Sequence, residues 1–274
     1  MHTEVSSAAA DERNNADPTT LRCRSHAGTT ATEERNEAMR EAFTAKLDEL
    51  RAELADLCGL TETAIEMATR ALLDTDLTAA EHTIDLHVDL DDRARDLDRR
   101  VLTLLALQAP VAQDLRALVS GMHDIADLRR MGSLAAHIAE VARLHHPNPV
   151  VPDELRGLVA EMGAAAEQQA AAAQVVLRTR DLDGAVRLIE ADDRADTLLV
   201  QLFTATKDPE WPHGASAAVN LTLLGRFYER FCDHTVEMAR RIVFVVTGSF
   251  PDERPPAVPT EELWLAPPHT AFGA

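Results

Sequence analysis

Apolar residues recur at helical spacing through six long stretches of this chain, and that periodicity limits it to packed helices. The first stretch runs from about Met39 to Leu73, with Phe43, Leu47, Leu50, Leu54, Leu57, Ile65, Ala68 and Leu72 near one helical face. Asp76 has the chemistry of an N-cap for a second helix over Leu77 to Leu107. Pro110 stands where a third helix begins, since a missing N–H costs nothing in a first turn. That helix carries Leu115, Leu118, Met122, Ile125, Leu128, Leu134, Ile138 and Val141. The segment HHPNPVVP then interrupts the chain, and Asp153 starts a fourth helix. A fifth is expected from Leu182 to Ala205 and a sixth from His213 to Val246, closed by Gly248. Aromatic residues make up only 4% of a chain that is 46% hydrophobic, so the core must close by aliphatic packing.

The second half repeats the first. Asp76, Leu77, Ala80, Ile84 and Asp91 recur as Asp181, Leu182, Ala185, Ile189 and Asp196 at a constant offset of 105. In the third helices the offset becomes 100, matching Arg130 and Ala139 to Arg230 and Ala239. The expected architecture is all-α: two tandem three-helix bundles built from six long helices, at residues 39–148 and 149–248. Residues 1–38 lack sustained apolar periodicity and read as a disordered extension; the Pro-rich residues 249–274, with Trp264, read as a disordered or docking tail.

The net charge of −19, with lysine only at Lys46 and Lys207, argues against a nucleic-acid surface and against broad contact with anionic lipid. The opening residues have no secretory apolar region, and the late apolar run Ile242–Val246 is far too short to span a bilayer. Cys23, Cys58 and Cys232 are too few for a disulfide framework, so the chain reads as cytoplasmic. A Gly-rich phosphate loop and a GxSxG nucleophile are missing, the ExxH pattern that di-iron enzymes use in pairs occurs only once, at Glu210–His213 around Pro212, and no catalytic residue is assigned.

Two pairs of acids stand out in the second half. Asp192 and Asp196, and Glu229 and Asp233, are each spaced i, i+4, which puts each pair on one helical face. If the faces meet, the carboxylates repel one another unless a hard cation neutralises them; otherwise they are solvated charge paired with Arg226 and Arg230. The run VNLTLLGRFYERFCDHTVEMARRIVFVVTG resembles the last helix of the PhoU family of bacterial phosphate-uptake regulators, with its Glu-Arg-x-x-Asp-His core and terminal Thr-Gly. LLALQAPVAQDLRALV and MREAFTAKLDELRAEL resemble the family's third and first helices, and the likeness is colinear over about residues 39–248.

The resemblance implies metal ligation by Asp192, Asp196, Glu229 and Asp233, with divalent or ferric iron, Mn²⁺, Mg²⁺ or Zn²⁺ compatible with such oxygen donors. It also implies a homodimer and a non-catalytic adaptor between the phosphate transporter's ATPase and a phosphate-sensing histidine kinase. The competing class is a carboxylate-bound metal-cluster protein with an enzymatic or storage role. The first repeat departs from the pattern: it reads DLRRMGS where the family has DLERxGD, so Arg129 and Ser133 replace two carboxylates. His87 replaces a third and only Asp91 remains, so an Arg129–Asp91 ion pair is expected in place of a metal. Cys232 reads as a packed helix cysteine, His234 as a supporting or capping group beside Asp233, and Asp114 with Arg116 as a capping and ion-pair set.

Overall fold

A computed structural model describes residues 18–251, all of its regular structure helical: α1 (Pro18–Asp74), α2 (Leu77–Gln108), α3 (Ala112–His145), a 3-10 turn (Asp153–Leu155), α4 (Arg156–Thr179), α5 (Leu182–Glu190), α6 (Asp193–Thr206) and α7 (Gly214–Thr247). These are the six expected helices, with the fifth broken into α5 and α6. Residues 1–17 and 252–274, including Trp264, lie outside the described residues. α1 begins at Pro18, well before Met39, which corrects the expected limit of the N-terminal extension. Compact units divide after Lys46, so the first repeat from Leu47 onward and the whole of the second belong to one unit.

The duplication is visible in backbone detail. Thr75 and Arg180 each end a helix in the left-handed region with φ 56°. The next residue then caps the following helix: Asp76 Oδ1 accepts from the Ala79 N–H at 3.0 Å, and Asp181 Oδ1 accepts from the Asp183 N–H at 3.1 Å. α3 starts two residues later than Pro110, because Pro110 and the extended Val111 complete the connection from α2. Gly248 ends α7 at φ 82°, and its N–H donates to Phe244 O. Arg116 does not pair with Asp114; it donates from Nη2 to Val245 O at 3.5 Å and lies 5.8 Å from the Phe244 ring centre, at the negative end of the α7 dipole.

α2 packs on α3, and α5 and α6 pack on α4 and α7. The repeats join through α3 against α7, and the later part of α1 touches both of them. There, Leu50 and Leu54 approach Gly121 of α3, and Gly163 of α4 lies so close to Thr69 that a β-carbon would collide with it. Thr69 Oγ1 also meets the buried Tyr228 hydroxyl of α7 at 2.9 Å. No described helix is long and apolar enough to cross a membrane.

Candidate functional site

In the second repeat, the break between Glu190 and Asp193 leaves Asp192 at the head of α6 and Asp196 in its first turn. α7 presents Glu229 and Asp233 from the facing helix. The four carboxyl groups lie within one another's electrostatic reach. Burial, followed by Glu229, Asp192 and Asp196, pushes Asp233 up to about 7. Burial also raises Glu229, with Asp196 and Asp192 adding to the effect and Arg226 opposing it. Asp196 rises through burial and the neighbouring Asp193. Arg226 donates from Nη1 to Glu229 Oε1 at 2.6 Å, whereas Arg230 is exposed. Glu229 is 8% exposed, and its other oxygen, Oε2, is buried with no hydrogen-bond partner.

The donor set has the chemistry a hard cation takes: four carboxyl groups, one buried oxygen unsatisfied, and proton affinities raised by burial and then by mutual repulsion. The side chains are not drawn into a finished coordination polyhedron. Among the described residues no group of three or more His, Cys, Asp or Glu is arranged to hold a metal ion. Cys232 sits between the acids but is buried, and burial together with Asp192 and Asp233 raises its thiol well above the usual range. It is therefore a protonated, packed side chain.

The corresponding place in the first repeat is built differently. Arg129 donates from Nε to Asp91 Oδ1 at 2.6 Å, and Arg95 also pairs with Asp91. Asp91 is held below the usual carboxylate range, because hydrogen bonds from Arg129 and Arg95 outweigh the effect of burial. Ser133 Oγ lies 3.3 Å from His137 Nε2, and His137 Nδ1 lies 3.3 Å from Glu140. His87 is driven toward its neutral form by burial. One acid here faces two guanidinium groups, where the second repeat gathers four acids around Arg226.

A third constellation lies between the repeats. Arg241 of α7 donates from Nε to Asp124 Oδ1 at 2.7 Å and also pairs with Asp127, both on α3. His234 Nδ1 meets Asp127 Oδ1 at 2.9 Å, so His234 turns to the other repeat instead of supporting Asp233. Asp124 is 2% exposed, and burial pushes it up to about 6 against the charge of Arg241. Asp127 is held low, since His234 and Arg241 together outweigh its burial. The sequence signal for this network is slight: two acids three residues apart and an arginine entering an apolar run, with nothing to name the partner.

Comparison with known proteins matches two segments, residues 54–142 and 159–242, to the PhoU domain, which correspond to the two repeats. The chain is 48% identical over 215 residues to the phosphate-specific transport system accessory protein PhoU homolog 1 of Mycobacterium leprae, covering 78% of this chain and 97% of that protein. It is 47% identical over 213 residues to PhoU homolog 2 of Mycobacterium tuberculosis, covering 78% of this chain and all of the relative. The crystal structure of PhoU from Pseudomonas aeruginosa superposes with a TM-score of 0.66 at 25% identity, over 76% of this chain and the whole of that one. With helix order, repeat boundaries and sequence in agreement, the chain belongs to the PhoU family.

Proposed function

We propose that this protein is a non-catalytic adaptor that restrains phosphate-starvation signalling, by joining the ATPase of a phosphate transporter to a phosphate-sensing histidine kinase in the cytoplasm. The observation that carries this reading is the near-complete coverage of relatives named as accessory proteins of phosphate-specific transport. The chemistry of the chain supports it. The buried thiol is protonated, the acids of the second repeat repel one another, and Asp91 is neutralised by arginines. That pattern suits a charge-tuned scaffold more than an acid–base pair poised to turn over a substrate.

In this reading Asp192, Asp196, Glu229 and Asp233 hold a hard cation in the second repeat, and the first repeat uses Arg129 as a permanent counter-charge. A bound cation would supply positive charge that relieves carboxylate repulsion. The residues themselves supply oxygen donors, and Arg226 limits the repulsion when the donors stand alone. The test is co-purification of the full chain with the kinase and the transporter ATPase, with and without phosphate, alongside metal analysis of wild type and Asp233→Asn. Phosphate-dependent capture of both proteins is expected, with metal lost in the variant. Capture of neither protein under any condition refutes the adaptor reading.

A further inference from the structure

The break in the fifth helix falls at Asp192 and Asp193, residues that favour helix starts over helix interiors, and the repeat comparison adds a tertiary contribution. In α2, the helix that corresponds to α5 and α6, the chain runs unbroken from Leu77 to Gln108. In the second repeat the ladder slips after Ala191: the Arg194 N–H reaches Ala191 O only at 3.4 Å, and the Ala195 N–H bonds to Asp192 O at 3.0 Å. Ala191 O thus has only a long, three-residue bond from its own helix. A second donor reaches it from α4, where Gln169 Nε2 stands 3.4 Å away. The other end of the amide meets α7, where the Thr235 hydroxyl lies 2.7 Å from both Gln169 Oε1 and Cys232 O and shares its one proton between them.

Both side chains are buried, Gln169 at 4% exposure and Thr235 at 0%. The buried amide is thus held closely by Thr235 and reaches Ala191 O by a longer contact, and leaving either end unpaired carries a desolvation cost. At the repeat offsets of 105 and 100, Gln169 corresponds to Ala64 and Thr235 to Ala135, both fully buried. The repeat with this amide has the broken helix and four gathered acids. The repeat with two alanines has a continuous helix and one acid paired to arginine.

We infer that Gln169 and Thr235 form a latch that holds the break at Ala191 open, and so positions Asp192 and Asp196 against Glu229 and Asp233. The latch joins three helices at one point: α4 through Gln169, the broken helix through Ala191 O, and α7 through Thr235, two residues beyond Asp233. Its metal consequence rests on the cation reading above; its structural consequence does not. Gln169 and Thr235 are positioning residues and touch no cation themselves.

The experiment compares full-length wild type with Gln169→Ala, Thr235→Ala and Thr235→Ser. Two readouts are taken: Mn²⁺ titration by calorimetry, and amide hydrogen exchange at Arg194 and Ala195 with chelator present. Thermal unfolding without metal verifies that each variant is folded. The expected result is a Mn²⁺ affinity lowered roughly tenfold in both alanine variants, as for other residues that orient metal ligands, and restored in Thr235→Ser. Exchange at Arg194 and Ala195 should change in the alanine variants and match wild type in Thr235→Ser. Wild-type affinity and exchange in Gln169→Ala overturn the latch. If wild type itself binds no Mn²⁺, the cation reading falls, and the exchange measurement alone upholds or overturns the latch. A variant too unstable to measure is replaced by Gln169→Met, which keeps the volume and removes both hydrogen bonds.

Discussion

Asp233 and Asp124 are carboxyl groups that burial pushes upward, one to about 7 among other acids and one to about 6 beside an arginine. A carboxyl group whose folded pKa exceeds its unfolded value of about 3.9 costs stability when ionised. The cost is absent below pH about 4, grows as pH rises toward the folded value, and is constant above it. Asp233→Asn should therefore stabilise the metal-free protein at pH 8 by on the order of 1–2 kcal/mol, after discounting for solvent screening, and leave it unchanged near pH 4. Thermal unfolding in chelator at the two pH values checks this; a gain equal at both would assign the effect to something other than ionisation. At this scale the i, i+4 spacing made both acid pairs legible, and the replacement of carboxylates by Arg129 and Ser133 made the Arg129–Asp91 pair legible. The roles of His234 and Arg116 were not legible, because each reaches across to the other repeat.

At the scale of helices, local chemistry carried most of the information. Asp76 and Asp181 cap α2 and α5 as their position before an apolar periodic run requires. Asp76→Ala and Asp181→Ala should each cost about 1 kcal/mol in urea unfolding, as for other N-caps. Asp76 also lies 3.4 Å from Arg70, so Asp76→Asn keeps the cap, loses the ion pair, and should recover most of the loss. The fifth helix is where local reading failed. The apolar positions from Leu182 to Phe203 keep helical spacing through Ala191, so the periodicity carries no trace of the break. The start of α1 was missed for the opposite reason: a helix without an apolar face offers periodicity nothing to detect.

Across the whole molecule, the seam between α3 and α7 buries charge as well as aliphatic surface. Arg241 answers both Asp124 and Asp127, so Arg241→Met leaves the buried Asp124 without its guanidinium, while the half-buried Asp127 keeps His234, and should destabilise the protein by about 3 kcal/mol. Asp124→Asn added to that variant should recover part of the loss, a coupling that a double-mutant cycle in urea measures. Additive effects would mean that the two side chains do not interact.

Though not for the break between α5 and α6 or the start of α1, local sequence was enough for the number and order of the long helices, the caps of α2 and α5, the duplication, and which repeat retains its acids. All of these are written within a turn or two of helix or in the comparison of one half with the other. Packing of distant helices is what brings Arg241 to Asp124, turns His234 to Asp127, and sets Gln169 and Thr235 beside the break between α5 and α6. These partners lie 66 to 117 residues apart, and the rotation at which two helices pack selects which side chains meet; periodicity within either helix carries no record of that rotation.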